Sequence, residues 1–337
     1  MAPGSLLWDT AASSFGIFAG RLLTEIHVPP TDLTGKTAVV TGANSGIGYS
    51  LALSLAKRNA TVYLACRNTT KGEAAVKEIV KQASESSLQR VHLLELDTSS
   101  LKSVRDFAQT LLSSTQTGID ILVHNAGISG APQGQEITGE GLGTIYATNF
   151  LGSFLLTSLL EKHLSNNARV IFTTSTGQYA GNLKRLFEMP RMAPQATGRK
   201  LPDSALYSDT KAFQVAFARL LQERFDSTYP EKHLVSHSFS PGYTQTAIFD
   251  KTTSTASTDP AFWALKAATA IALPLEQGAA TGLWLATTDD EKVVSEGKGG
   301  AFWDRCVRRT TAVDSMSRPD LDRLWRVWEE DSGAKWS

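Results

Sequence analysis

Thr37-Ala38-Val39-Val40-Thr41, followed by Gly42-Ala43-Asn44-Ser45-Gly46-Ile47-Gly48, is the stretch on which the fold turns. Its first five residues read as a buried strand, the glycines as a turn, and the residues from Tyr49 to Arg58 as a helix. Strand, glycine-rich turn and helix form the context in which a glycine motif can hold phosphates. Glycine lets the backbone turn tightly and approach a pyrophosphate closely. The helix N-terminus offers free N–H groups and the positive end of its dipole to the same anion. The spacing Thr-Gly-x-x-x-Gly-x-Gly departs from the Gly-x-Gly-x-x-Gly fingerprint. On its own the stretch therefore fits a plain turn as well as a nucleotide site.

The same alternation continues outward. Strands are predicted at 37–41, 61–66, 91–96, 120–124, 169–174, 234–239 and 300–303. Helices are predicted at 46–58, 70–83, 100–113, 138–163, 205–225 and 276–287. Strands alternating with helices imply an α/β fold, a doubly wound parallel sheet of about seven strands with helices on both faces. Right-handed crossovers then place ligands at the carboxyl ends of the strands. Arg67, Asp97, Asn125 to Gly127, Ser175 and Pro241-Gly242 all follow predicted strands. The chain divides into an N-terminal helical extension (1–34), one body (35–305) and a C-terminal helical tail (306–337). Within the body, 179–204 and 247–275 are too long for the repeating unit, and long connections of this kind are usually functional or disordered. Both leave and re-enter beside the candidate chemistry, so they are expected to form the substrate wall. Phe249, Phe262 and Trp263 mark the second as a lid.

Tyr207 and Lys211 lie four residues apart and share one face of a helix. A free phenol has a pKa of about 10 and is a poor base at neutral pH, but a nearby ammonium favours the phenolate. The pair can therefore move a proton to or from an alcohol oxygen. Tyr and Lys at this spacing are also common on ordinary helices, so the pair needs its context.

That context is an ordered set of motifs: Thr41 to Gly48, His124-Asn125-Ala126-Gly127, Asn149 in Thr148-Asn149-Phe150-Leu151-Gly152, Ser175, Tyr207/Lys211 and Pro241-Gly242. Together they resemble the short-chain dehydrogenase/reductase family over roughly residues 35 to 305. Val62-Tyr63-Leu64-Ala65-Cys66-Arg67-Asn68, Asn149 to Thr157, the long gap between Ser175 and Tyr207, and Gly300-Ala301-Phe302-Trp303-Asp304 are most similar to the retinol dehydrogenase group. His124 stands where that family usually has Asn, at a position expected to support the strand end.

The resemblance implies an NADP(H)-dependent oxidoreductase that interconverts a carbonyl and an alcohol on a lipophilic small molecule. Ser175 would hydrogen-bond the substrate oxygen, and Tyr207 would act as general acid/base. Lys211 would bind the nicotinamide ribose and depress the Tyr207 pKa, and Asn149 would hold a water linking Lys211 to solvent. Gly42, Asn44, Ser45, Gly46, Ile47, Gly48, Asn125, Ala126, Gly127, Pro241, Gly242, Thr244 and Thr246 would border the cofactor. Asp97 and Thr98 would meet its adenine end. At the end of the second strand an acid would read the ribose 2′-OH of NAD, whereas an Arg accommodates the 2′-phosphate of NADP. The residue there is Arg67, with Asn68 and Lys71 nearby, which favours NADP(H). The rival reading is a protein that binds NADP(H) as a sensor or scaffold without turnover.

Bulk properties set the outer bounds. Lys plus Arg (33) equals Asp plus Glu (33), so nothing favours nucleic acid. Cys66 and Cys306 form no metal spacing or disulfide framework. His233 and His237 flank a strand rather than share a helix face, so no metal site is expected. There is no apolar run of about 18 residues for a transmembrane helix, and no basic start for a signal peptide. The expected setting is cytoplasmic. Trp8, Ala11, Phe15, Phe18 and Leu22 form one helical stripe, expected to dock on the chain's own domain, with membrane-surface association or a partner helix as alternatives. Leu321, Leu324, Trp325 and Trp328 form another, expected to pack on the body. Family members often pair through the helices near 138–163 and 205–225, so monomer and homodimer both stay open.

Overall fold

The computed structural model describes residues 5–19, 23–115, 117–193, 198, 201–244 and 272–336. Eight strands form one sheet: β1 (Thr37–Thr41), β2 (Thr61–Cys66), β3 (Val91–Glu95), β4 (Ile119–His124), β5 (Leu164–Thr173), β6 (Val235–Ser240), β7 (Phe302–Asp304) and β8 (Val307–Arg309). Their order is β3-β2-β1-β4-β5-β6-β7-β8, parallel throughout except that β8 returns antiparallel to β7. The central strands β1, β4 and β6 are buried along their whole length. This is the pattern of strands covered by helices on both faces.

One face carries helices Gly46–Lys57, Thr69–Ala83 and Leu275–Thr287, whose Leu51, Leu55, Ile79, Leu283 and Leu285 join Val40, Leu64 and Ile171 of the sheet. The other face carries helices Leu101–Ser114, Gly152–Leu160 and Asp203–Thr228. There Phe107, Phe154, Phe213 and Phe217 pack with Val39, Leu122 and Phe172. The crossover direction reverses between β1 and β4, so the crevice at their carboxyl ends is the topological switch point.

The sheet differs from the sequence reading at its far edge. The last parallel strand sits at 302–304 rather than 300–303, and β8 was not foreseen. A positive-φ turn at Arg305 and Cys306 reverses the chain into it. The helix expected over 138–163 starts only at Thr144, because 138–143 form a turn closed by Thr138 N–H donating to Leu142 O. It is then interrupted by a π-turn, Ala147–Leu151, before Gly152–Leu160 resumes.

Both terminal helices dock, by opposite means. The C-terminal helix Arg318–Ser332 buries Leu321, Leu324 and Trp328, as its stripe predicts. Trp328, Trp325 and Trp336 stack onto Phe150, Phe154 and Phe217, so the tail lies over the helix pair that carries these rings. The N-terminal helix Leu6–Ala19 docks through its polar side instead. Asp9 is buried and accepts hydrogen bonds from Arg309 Nη1 (3.2 Å) and the Thr310 amide (2.9 Å). The apolar stripe expected to make this contact faces outward, with Trp8 40% and Phe15 64% exposed. Phe18 and Leu22 lie outside the described side chains. Among the described residues, no helix is long and apolar enough to cross a membrane.

Residues 183–193 pack into the core. Leu183, Leu186, Met189 and Met192 are buried, and Arg191 O accepts from the Gly143 amide at 2.9 Å. Most of 247–275, including Phe249, Phe262 and Trp263, lies outside the described residues.

Candidate active site

The glycine loop leaves β1 at the switch point. Gly42 adopts φ +66°, and a Cβ there would stand 2.9 Å from Ala126 Cα, so only glycine lets the loop touch the end of β4. Thr41 ties the two together, its hydroxyl accepting from the amides of Asn125 (2.9 Å) and Ala126 (3.0 Å). The Asn125 amide donates back to Thr41 O and Gly42 O, so Asn125 builds the floor of the loop. Gly48 packs directly on it, since a Cβ would meet Asn125 Nδ2 at 2.4 Å. Ser45 is the N-cap of helix Gly46–Lys57 yet makes no side-chain cap bond, which leaves the first-turn N–H groups without a side-chain acceptor. Asn44 and Gly46 are half-buried, and Ile47 is buried beneath them.

The remaining predicted cofactor residues ring this loop. Arg67 is exposed just past β2 and makes no ion pair among the described residues. Asn68 beside it caps the following helix by accepting from the Lys71 amide. Asp97 spends one carboxylate oxygen on Ser99. Thr98 is buried, and its carbonyl packs against Gly152. Gly242 adopts φ +68° after Pro241. Thr244 turns its hydroxyl inward to Pro241 O (2.7 Å) beside Gly278. Thr246 lies outside the described residues.

Ser175, Tyr207 and Lys211 converge at the carboxyl end of β5. Ser175 caps the short 3₁₀ turn that follows, accepting from the Gly177 amide at 3.1 Å. A Cβ on Gly177 would be 3.4 Å from Ser175 Oγ and 3.6 Å from Tyr207 Cε1, so that glycine lies against both the hydroxyl and the ring. Lys211 Nζ stands 5.5 Å from the centroid of the Tyr207 ring. It also approaches within 3.6 Å of where a Gly127 Cβ would stand. Gly42, Ala126, Gly127, Lys211, Tyr207 and Ser175 thus form one continuous line of contacts.

One sequence expectation is corrected here. Burial raises the Tyr207 phenol above its ordinary value, and the hydrogen bond from Ser175 opposes this. The net shift is therefore upward, opposite to the depression expected from Lys211. Burial pushes the Lys211 ammonium itself down to about 7, because a charged form loses hydration in the interior. Asn149 is tied to protein through its side-chain amide. Its Oδ1 accepts from the Ile128 amide (2.7 Å), and its Nδ2 donates to Ile128 O (2.9 Å) and Thr210 Oγ1 (3.1 Å). Its main-chain carbonyl accepts from the Gln214 side chain at 2.8 Å. Gln214, Thr41 and Thr210 were missed in the sequence. Gln214 had a signal: it continues the Tyr207/Lys211 helical stripe at i+7.

His124, the departure from the family pattern, is wholly buried. Its Nε2 pairs with Thr157 Oγ1 at 2.8 Å, and its ring stacks on Phe172 at 4.9 Å. It supports the strand end as expected. Cys66 is buried under the glycine loop, where burial pushes its thiol up to about 11. A cavity of about 340 Å³ flanks the N-terminal part of the long helix at Leu206 and Thr210, walled by Ile137, Ile145, Tyr146 and Met192. Its lining is mainly apolar.

A sequence model of the short chain dehydrogenase family matches residues 36–184. Retinol dehydrogenase 12 of Mus musculus is 32% identical over 336 residues, covering 98% of this chain and 96% of that protein. The crystal structure of an uncharacterized protein from Mycobacterium paratuberculosis superposes with a TM-score of 0.66 at 27% identity, covering 91% of this chain and 97% of that one. A short chain dehydrogenase of Escherichia coli CFT073, solved in complex with NADPH, shares the fold with a TM-score of 0.59 at 21% identity, covering 82% and 99%. With the glycine loop at the switch point and a full-length relative above 30% identity, the chain belongs to the short-chain dehydrogenase/reductase family of oxidoreductases.

Proposed function

We propose that the protein is an NADP(H)-dependent oxidoreductase that interconverts a carbonyl and an alcohol on a lipophilic small molecule, with Tyr207 as general acid/base. The convergence of Ser175, Tyr207 and Lys211 beside Gly127 carries the reading. The cofactor fits on this chain's own features. The first-turn N–H groups after Ser45 lack a side-chain acceptor and suit a pyrophosphate. Arg67 is exposed and has no ion pair among the described residues, at the position that would meet a 2′-phosphate. NADPH in the Escherichia coli relative, and the substrate named for retinol dehydrogenase 12, point the same way. The apolar cavity beside Leu206 and Thr210 supports a lipophilic substrate.

When bound, the nicotinamide supplies or accepts the hydride. Ser175 holds the substrate oxygen. Tyr207, its phenol raised by burial, keeps its proton at neutral pH and donates it to that oxygen, which suits carbonyl reduction. Lys211 orients the cofactor ribose, and Asn149 ties the Ile128 loop to the long helix so that these groups keep their spacing. The segments 179–204 and 247–275 border the substrate. The test is NADPH oxidation with a panel of aromatic and long-chain aldehydes and ketones, run with Tyr207→Phe alongside. Turnover that falls about 10²–10⁴-fold in the variant, with NADPH affinity kept, is the expected result. NADPH binding without turnover across the panel would favour the sensor or scaffold reading.

A further inference from the structure

Gln214 is fully buried one turn beyond Lys211, on the same face of the long helix. Lys211 Nζ donates to Gln214 Oε1 at 3.1 Å and to the Thr173 carbonyl at 2.9 Å. Gln214 Nε2 donates to the Asn149 main-chain carbonyl at 2.8 Å. The orientation of the amide is fixed by its neighbours, because an ammonium can only donate and a carbonyl can only accept. Asn149 sits within the π-turn Ala147–Leu151, where the regular helical ladder is broken.

We infer that Gln214 is a positioning residue of the proposed acid/base centre: its amide spans from the Lys211 ammonium to the Asn149 carbonyl and fixes the ammonium. The inference rests on the reading of Tyr207 and Lys211 given above. Two of the three ammonium N–H bonds are held by neutral oxygens on β5 and the long helix. The third is left to face Gly127 and Tyr207. Unlike a water or a hydroxyl, an amide holds its protons, so this bridge orients the ammonium without conducting.

The groups around Lys211 are few. β5 presents the Thr173 carbonyl and Ser175, the π-turn presents Asn149, and the loop after β4 presents Gly127. The long helix presents Gln214 and the titratable Tyr207. No charged neighbour contributes to the lowering of Lys211, which burial alone causes. A neutral acceptor at Gln214 is therefore one of the few features that favour the charged lysine.

The experiment compares the pH profile of kcat/KM for alcohol oxidation in the wild-type chain, Gln214→Glu and Gln214→Met, from about pH 5.5 to about pH 9.5. Thermal melting and NADPH affinity are measured on each protein. A carboxylate against the ammonium cancels the positive charge that favours the phenolate. The midpoint in Gln214→Glu should rise by about one pH unit, with a roughly tenfold loss at pH 7. Met keeps the bulk but removes the acceptor, so the lysine holds its charge less well, the midpoint should again rise, and the plateau should drop. A shifted midpoint in both variants identifies a residue that acts through Lys211. Profiles with the wild-type midpoint in both variants, merely scaled down, would reduce Gln214 to packing and overturn the inference. Should Gln214→Glu not fold, the shift in Gln214→Met alone decides. A wild-type protein that turns over nothing removes the acid/base reading itself, and this inference with it.

Discussion

Replacing Asn149 with Asp keeps the shape of the side chain and exchanges one NH2 for oxygen. In the native structure that NH2 donates to Ile128 O at 2.9 Å, within a site that is wholly buried. An ionised carboxylate there would face a carbonyl without solvent, so the new group protonates instead. As an acid it donates its O–H to Ile128 O and still accepts from the Ile128 amide, which keeps both bonds to Ile128 and gives up the one to Thr210 Oγ1. The cost is then that of protonating a group whose unfolded pKa is about 3.9, which comes to about 4 kcal/mol at pH 7. The sign follows from linkage. The folded pKa is raised, so relative to wild type the penalty is absent below about pH 4 and grows as pH rises toward the folded pKa. It should be about 4 kcal/mol at pH 7 and about 2 kcal/mol at pH 5.5. The assay is urea unfolding of both proteins across that range, read as a difference so that titrations common to both cancel. A difference below about 1 kcal/mol, or one that does not change with pH, would mean that the Asn149 amide faces water rather than Ile128, and the reasoning would fail.

Arg67→Asp should leave stability unchanged, because Arg67 is exposed and holds no ion pair among the described residues. It should move the ratio of kcat/KM for NADPH over NADH toward NADH; an unmoved ratio would detach Arg67 from the 2′ position. His237 and His124 should dominate acid sensitivity, since burial lowers them to about 4 and about 3 from an ordinary 6.5. The unfolded chain takes up these protons first, so the stability present above pH 6.5 is lost as pH falls. The loss should be about 2 kcal/mol between pH 6 and pH 5, and His124→Asn should halve that slope in denaturant titrations at successive pH values.

The parts of the site that were legible in the sequence are those fixed by backbone chemistry. Gly42 and Gly48 stand where no Cβ fits, and Tyr207 and Lys211 share a helical face, so composition and spacing announce them. The late helix start at Thr144 was also written, in Gly139, Gly141 and Gly143, but apolar periodicity outweighed these breaks. Other features depend on what a residue meets across the fold. The stripe of Trp8 and Phe15 is a sound helix signal, yet it cannot say that the buried partner of the opposite face is Arg309, about 300 positions away. Gln214 is similar: spacing puts it on the right face, but only the folded chain brings the Asn149 carbonyl to its amide. β8 is three residues long and edge-exposed, too short to carry a period.

The π-turn at Ala147–Leu151 has a consequence for how the chain tolerates changes in length. A π-turn is one residue more than a regular helix needs, so deleting any single residue there would heal the ladder and improve the helix locally. The flanking turns would stay in phase, because the extra residue is absorbed locally, but the residues inside the turn would lose their present directions. Asn149 would leave Ile128 and Thr210, and its carbonyl would leave Gln214. A more regular helix would thus be a disconnected one. Across diverging copies of this gene, the turn should therefore hold its length even where its residues change.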